Sequence, residues 1–403
     1  MAAISRHRAV AGPTLFSAGF RPFFLGAAIW AAAAVPIWLA AYAEGLILPT
    51  RLSPVIWHAH EMIFGFAAAV VAGFLLTAIP NWTGRMPLQG TPLAMLVLLW
   101  AVGRIAILVS ARIGAPAAAV ADLAFPAAFV AVVAREITAG RNWRNLPMVA
   151  ALSLLLIGNL LVHLEALGLA DAGELGNRLG LATLFMLISL VGGRIVPSFT
   201  HNWLAKTQPE APPPAAPESR FDVAALAVTA VALALWTVVP DGAASHWGLI
   251  AAGIAVMLRL VRWRGRHTLR EPLLVILHVG YFWLAFGLFL LGVCGLTAIL
   301  PAAAALHALT VGAIGTMTLA VMTRASLGHT GRPLSAGPVT LAIYALVTLA
   351  AVVRVLSPLA GGLVLPALWL SGAAWSGAFG LFAVFYGRAL ARPRLRGDAA
   401  API

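Results

Sequence analysis

The stretch HEMIFGFAAAVVAGFLLTAIPNWTGR, residues 60–85, decides the fold. From Met62 to Ile79 it carries no charge. A run of about 20 apolar residues is what one helix needs to cross a bilayer. The run is continuous rather than alternating, so it reads as a helix and not as a barrel strand. Just before it stand Trp57, His58 and Ala59, so two histidines and Glu61 sit at the mouth of a hydrocarbon segment.

Working outward, the chain holds twelve such runs, at about 22–43, 55–79, 91–111, 115–134, 147–168, 179–198, 221–240, 245–263, 272–294, 301–325, 337–357 and 363–387. The composition agrees: of 403 residues, 62% are hydrophobic and 10% charged, with a mean hydropathy of +0.96. No soluble globular chain has that balance. The reading is an all-α integral membrane protein, one polytopic domain over residues 1–403. The lone Cys294 excludes an internal disulfide and a Cys-rich metal site. The first apolar run has no small-residue cleavage pattern at its end, so it reads as a true span.

The net charge of +13 fits loop arginines better than nucleic-acid binding. Arg6, Arg8 and Arg21, then Arg135, Arg141 and Arg144, then Arg259, Arg262, Arg264, Arg266 and Arg270, then Arg388, Arg392, Arg394 and Arg396 all fall on one side if both termini do. Both termini are therefore expected in the cytoplasm. A Pro-rich polar segment, residues 204–220, reads as a cytoplasmic linker between the sixth and seventh spans.

A repeat lies inside the spans. Laid without a gap over HALTVGAIGTMTLAVMTRASLGHTGR, residues 307–332, the opening stretch puts His60 on His307, Gly65 on Gly312, and Thr83-Gly84-Arg85 on Thr330-Gly331-Arg332. The sixth span joins the register, with Asn177 at His60 and Pro197 at Pro80, and Arg194 falls on Arg324. The spacing is four spans each time. It predicts three pseudo-threefold four-helix units resembling the heme-copper oxidase plan, by architecture rather than by sequence.

Ionisable groups inside a membrane are costly and mark function. His58 and Glu61 are three apart and are expected to share a face, with His60 pointing elsewhere. One reading is a metal or heme site with Glu61 as proton carrier; the other is interfacial histidines beside Trp57. His307, at matching depth, offers a second axial ligand for heme iron. His163, with Asn159 one turn before it, and His278 are open between metal ligand and hydrogen-bonded packing. Arg324 and His329, near the end of the tenth span, suit an anionic group of a cofactor or serve as anchor and cap.

GFRPFF (19–24), WHAHEMIFGF (57–66), AGFLLTAIPNWTGR (72–85), GGRIVP (192–197) and LHALTVGAIGTMTLAVMTRASLGHTGRPL (306–334) together resemble the NnrS family. The resemblance implies a heme- and copper-containing protein of the bacterial inner membrane, tied to nitric oxide and nitrosative stress. It implies b-type heme and copper as cofactors, with His58, His60, His163, His278, His307 and His329 in the family's histidine motifs. The expected activity is reduction of nitric oxide to nitrous oxide, fed by a quinol or a cytochrome, with Glu61 as proton relay. The alternatives are a non-catalytic sensor that binds nitric oxide, and a transporter of copper or iron-nitrosyl species.

Overall fold

The computed structural model describes residues 12–216, 219–297 and 299–395. Arg6, Arg8 and Arg396, counted above, lie outside them. Among the described residues there is no strand. Twelve helices are long and apolar enough to cross a membrane: α1 Phe20–Ala43, α2 Pro54–Thr83, α3 Thr91–Leu108, α4 Ala115–Ala139, α5 Trp143–Ala166, α6 Gly173–Thr207, α7 Arg220–Val238, α8 Ala243–Arg262, α9 Pro272–Thr297, α10 Ala302–His329, α11 Pro338–Leu359 and α12 Gly361–Ala391. Each expected run is one of these helices.

Their ends follow ordinary capping chemistry. Before α2, the Ser53 hydroxyl accepts from the Ile56 amide, and Pro54 takes the first turn, where its missing N–H costs nothing. After α2, Gly84 turns left-handed at φ 72° and its amide donates to the Pro80 carbonyl. Before α7, Ser219 and Asp222 form a reciprocal capping box. The linker expected at 204–220 begins later, because α6 continues to Thr207.

Four spans contain a stretch of π-helix. Segments of π-helix interrupt α2 at Glu61–Ala67, α6 at Ile188–Gly192, α10 at Ala308–Gly315 and α12 at Phe382–Tyr386. Such segments are rare and gather at functional sites. The ungapped register that lays His60 on His307 also lays the first segment on the third, so backbone and sequence agree on that pairing. In α6 the π segment starts at Ile188 instead of beside Asn177, and α6 departs from the register there.

Contacts gather into two units. The first holds the chain up to Gly180 with Ala325–Arg332 and the end of α12 from Phe382. The second holds Leu181–Arg324 and Pro333–Leu381. The contacts do not single out the three four-helix units that the repeat called for. In the first unit α1 packs on α2, α3 on α4, and α4 on α5. There the GFRPFF motif has a structural role. Arg21 is buried and donates from Nη1 to the carbonyls of Leu390 and Arg392, at 2.6 and 2.8 Å, which satisfies the end of α12. In the second unit α7 packs on α8, α8 on α9, and α11 on α12.

Candidate metal centre

Six polar side chains meet in the first unit, from four consecutive helices. They are His60 and Glu61 of α2, Arg104 of α3, Asp122 of α4, and Asn159 and His163 of α5. None is more than 4% exposed. On α5, Asn159 and His163 are four residues apart and share a face. On α2, adjacent residues of a regular helix diverge, but the π segment begins at Glu61 and the two side chains meet, with His60 Nδ1 3.1 Å from Glu61 Oε1.

The network is closed by charge. Arg104 donates from Nη1 to Glu61 Oε2 at 2.7 Å and from Nη2 to Asp122 Oδ1. Asn159 Nδ2 donates to Asp122 Oδ2 at 2.7 Å, and His163 Nε2 lies 2.9 Å from the same oxygen. His60 Nε2 is 2.9 Å from Asn159 Oδ1 and 3.2 Å from Asp122 Oδ2. Two glycines make the room. A Cβ on Gly65 would stand 2.6 Å from Arg104 Nη1, and one on Gly103 would stand 2.9 Å from Asp122 Oδ1. The Trp100 indole N–H donates to the Gly65 carbonyl at 2.9 Å, inside the π segment.

Two carboxylates against one guanidinium leave the buried cluster one negative charge in excess, and an uncompensated buried charge is expensive. Each ring nitrogen of His60 faces an oxygen acceptor, and a neutral imidazole can donate to only one. The site therefore calls for one more cation, a proton or a metal ion. His60, Asp122 and His163 supply ligand atoms that all lie within 4.8 Å of one another. Two imidazoles with a carboxylate suit copper, zinc or iron. Beside them is a cavity of about 10 Å³, lined by Arg51, Leu52, Ile107, Ser110 and the two histidines among others. That is room for roughly one molecule the size of water.

Of the residues singled out in the sequence, His60, Glu61 and His163 come together here. His58 does not: it stacks on Trp38 with centroids 4.3 Å apart. The expected sharing of a face by His58 and Glu61 is thus corrected, because Glu61 pairs with His60 and Arg104. The other four residues lie elsewhere. His307 is half-buried and its Nδ1 lies 2.6 Å from the Ala303 carbonyl of its own helix. His278 Nδ1 lies 2.9 Å from the Leu274 carbonyl, and Gly265 is packed against the ring's other edge. Arg324 lies over the Phe199 ring at 4.2 Å, and His329 lies against Phe20 at 5.3 Å.

Sequence reasoning missed Arg104 and Asp122, and gave Asn159 only as a neighbour of His163. The signal was present: each is an ionisable group well inside an apolar run. Arg259, counted above with the loop cations, is 2% exposed. It donates to Asp222 Oδ1 at 2.9 Å, Tyr281 Oη at 2.7 Å and the Ser189 carbonyl at 3.1 Å.

Twelve candidate spans and a buried histidine–carboxylate cluster define a polytopic helical membrane protein with a candidate metal site. The chain belongs to the NnrS family: the family model described as NnrS protein matches residues 14–394. No curated protein matches the chain.

Proposed function

We propose that this chain is a metal-dependent protein of the nitric oxide response, and that nitric oxide is bound and reduced beside His60, Asp122 and His163. The observation that carries this reading is the buried cluster, one positive charge short, next to a cavity with room for about one small molecule. Family membership supports the link to nitric oxide.

Copper fits the donor set. Imidazole nitrogen and carboxylate oxygen are ligands it accepts, and a monovalent ion neutralises the cluster. When bound, it would supply a redox-active position for nitric oxide. The residues then divide the work. His60, His163 and Asp122 hold the ion. Arg104 fixes both carboxylates, and Asn159 aims the His60 ring at Asp122. Glu61, in contact with His60 Nδ1, carries a proton to the site. The overall conversion is two nitric oxide, two electrons and two protons to nitrous oxide and water, with electrons from a quinol or a cytochrome. Heme is the other cofactor the resemblance implies, with His60, His278 and His307 as its expected ligands; the buried carboxylate beside His60 and His163 suits a small metal ion instead. The arginine-rich loops support the reading that both termini face the cytoplasm, in a bacterial inner membrane, by the positive-inside rule.

One observation favours a second reading, a protein that binds nitric oxide without turning it over. The cavity holds about one small molecule, whereas reduction joins two. The test separates them. Copper-loaded protein in liposomes is reduced with a quinol analogue and given nitric oxide, and nitrous oxide is measured. Turnover that vanishes in His60→Ala and His163→Ala supports reduction. A nitric oxide-induced spectral change without nitrous oxide supports the binder, and neither effect sinks both.

A further inference from the structure

A groove in the second unit lies far along the chain from the centre above. It is an open groove of about 510 Å³ where α8 ends and α9 begins, walled by Leu260, Val261, Leu269, Val275, Val279 and Phe282. Arg264, Gly265, Arg266 and His278 complete the lining, and no carboxylate does. Among the described residues, neither Arg264 nor Arg266 has an ion-pair partner; Arg266 Nε donates to the neighbouring His267 Nε2 at 3.3 Å.

The backbone is arranged to hold these arginines there. Arg264 sits at φ 60°, the left-handed region that L side chains avoid. Such outliers persist where the surrounding structure fixes them, and they cluster at ligand clamps. The next residue must be glycine, because a Cβ on Gly265 would stand 2.5 Å from the His278 ring. The turn is therefore pressed onto α9, with two guanidinium groups at the head of an apolar wall.

That wall is open to the surroundings. Val261 is 68% exposed, Leu269 72% and Phe282 42%. The turn joins the ends of two spanning helices, so it lies at the membrane surface, with apolar surface on one side and headgroups on the other. Two uncompensated cations above exposed hydrocarbon match one kind of occupant in charge and polarity. Basic pockets at span ends bind anionic lipid headgroups in this way. A free phosphate would satisfy the arginines but leave the wall wet.

We infer that this groove is a binding site for an anionic phospholipid, with the phosphate held by Arg264 and Arg266 and the acyl chains laid along Val261, Val279 and Phe282. The site is independent of the metal centre, and its loss leaves metal content unchanged.

The experiment reconstitutes the full chain in nanodiscs and reads spin-labelled phosphatidylglycerol against spin-labelled phosphatidylcholine. The protein is expected to immobilise phosphatidylglycerol preferentially. Losing one arginine near a membrane surface weakens anionic binding about fivefold, and losing both about thirtyfold. Arg264→Gly is the informative variant, since glycine takes the left-handed backbone freely and fold loss cannot explain a weaker signal. Arg264→Gly with Arg266→Gln should abolish the preference, while Arg270→Gln, in the same loop but outside the groove, should keep it. The inference is overturned if the double variant keeps the preference, if phosphatidylcholine is held equally well by the parent, or if Arg270→Gln loses as much as the double variant.

Discussion

Replacing Arg104 with methionine tests whether the buried cluster is held by charge. The guanidinium is 4% exposed and spans Glu61 and Asp122, both fully buried or nearly so. Methionine keeps the apolar stem and removes the cation. Two carboxylates are then left without their main partner. Deleting one member of a buried ion pair costs about 3–5 kcal/mol. In a cooperative unit of roughly 200 residues, each kcal/mol moves the melting temperature by about 2–4 °C. The expected fall is about 6–20 °C, followed through tryptophan fluorescence of the detergent-solubilised protein. The same change takes the cluster from one excess negative charge to two. A divalent cation should therefore rescue the variant more than it stabilises the parent, by about 2.7 kcal/mol at a hundred times its dissociation constant. Neutralising all three groups, Arg104→Met with Glu61→Gln and Asp122→Asn, should recover most of the lost stability and abolish the rescue. A single variant that melts within about 2 °C of the parent, or a neutral triple variant that melts as low as the single one, would refute the reasoning.

Other consequences can be checked together. His163→Ala removes one of three candidate ligands and should lower copper binding at least tenfold, measured by metal analysis after dialysis, while Trp38→Ala, which loses the stacks on His58 and Tyr42, should leave it unchanged. Gly65→Ala pushes a methyl group into Arg104 and Glu61 and should destabilise by about 1–3 kcal/mol, with metal affinity falling alongside. Asn159→Leu keeps the volume but strips His60 Nε2 and Asp122 of a hydrogen-bond partner. It should cost about 1–3 kcal/mol in thermal unfolding, and an unchanged melt would argue against the assigned amide orientation.

The twelve spans were legible because bilayer thickness demands long apolar runs, and nothing short of that length hides them. The register of His60 with His307 was legible too, and the matching π segments support it. The centre was legible only in part. His60, Glu61 and His163 stand out as histidines and a carboxyl in oil. Arg104 sits in LWAVGRIAIL and Asp122 in AVADLAF, where one charge barely lowers the hydropathy. What the sequence hid was their pairing, since α3 and α4 bring them together only through the close approach at Gly103. The face assignment of His58 and Glu61 failed for a local reason. It assumed regular helical spacing across a stretch where the backbone is π-helical.

The two units share a device that explains why charge and irregular backbone occur together. A π segment shifts carbonyls out of the usual ladder, and inside a membrane no water can satisfy them. In the first unit Trp100 donates into the segment at Gly65 while Arg104 binds Glu61 at its start. In the second, Arg259 donates to the Ser189 carbonyl within Ile188–Gly192. Each cluster draws on four consecutive helices, α2 to α5 and α6 to α9, with arginine and aspartate exchanged between the second and third helices of each set. The period of four seen in the sequence thus returns in the placement of buried charge. The chemistry does not repeat. Where the first unit has His60 and His163, the second has Ser189 and Tyr281, which donate and accept hydrogen bonds but offer no imidazole. The only group of metal-ligating side chains among the described residues is in the first. A balanced pair, Arg259 with Asp222, needs no further cation. The unbalanced cluster around Arg104 is one positive charge short, and that difference of one charge is what makes it the candidate metal site.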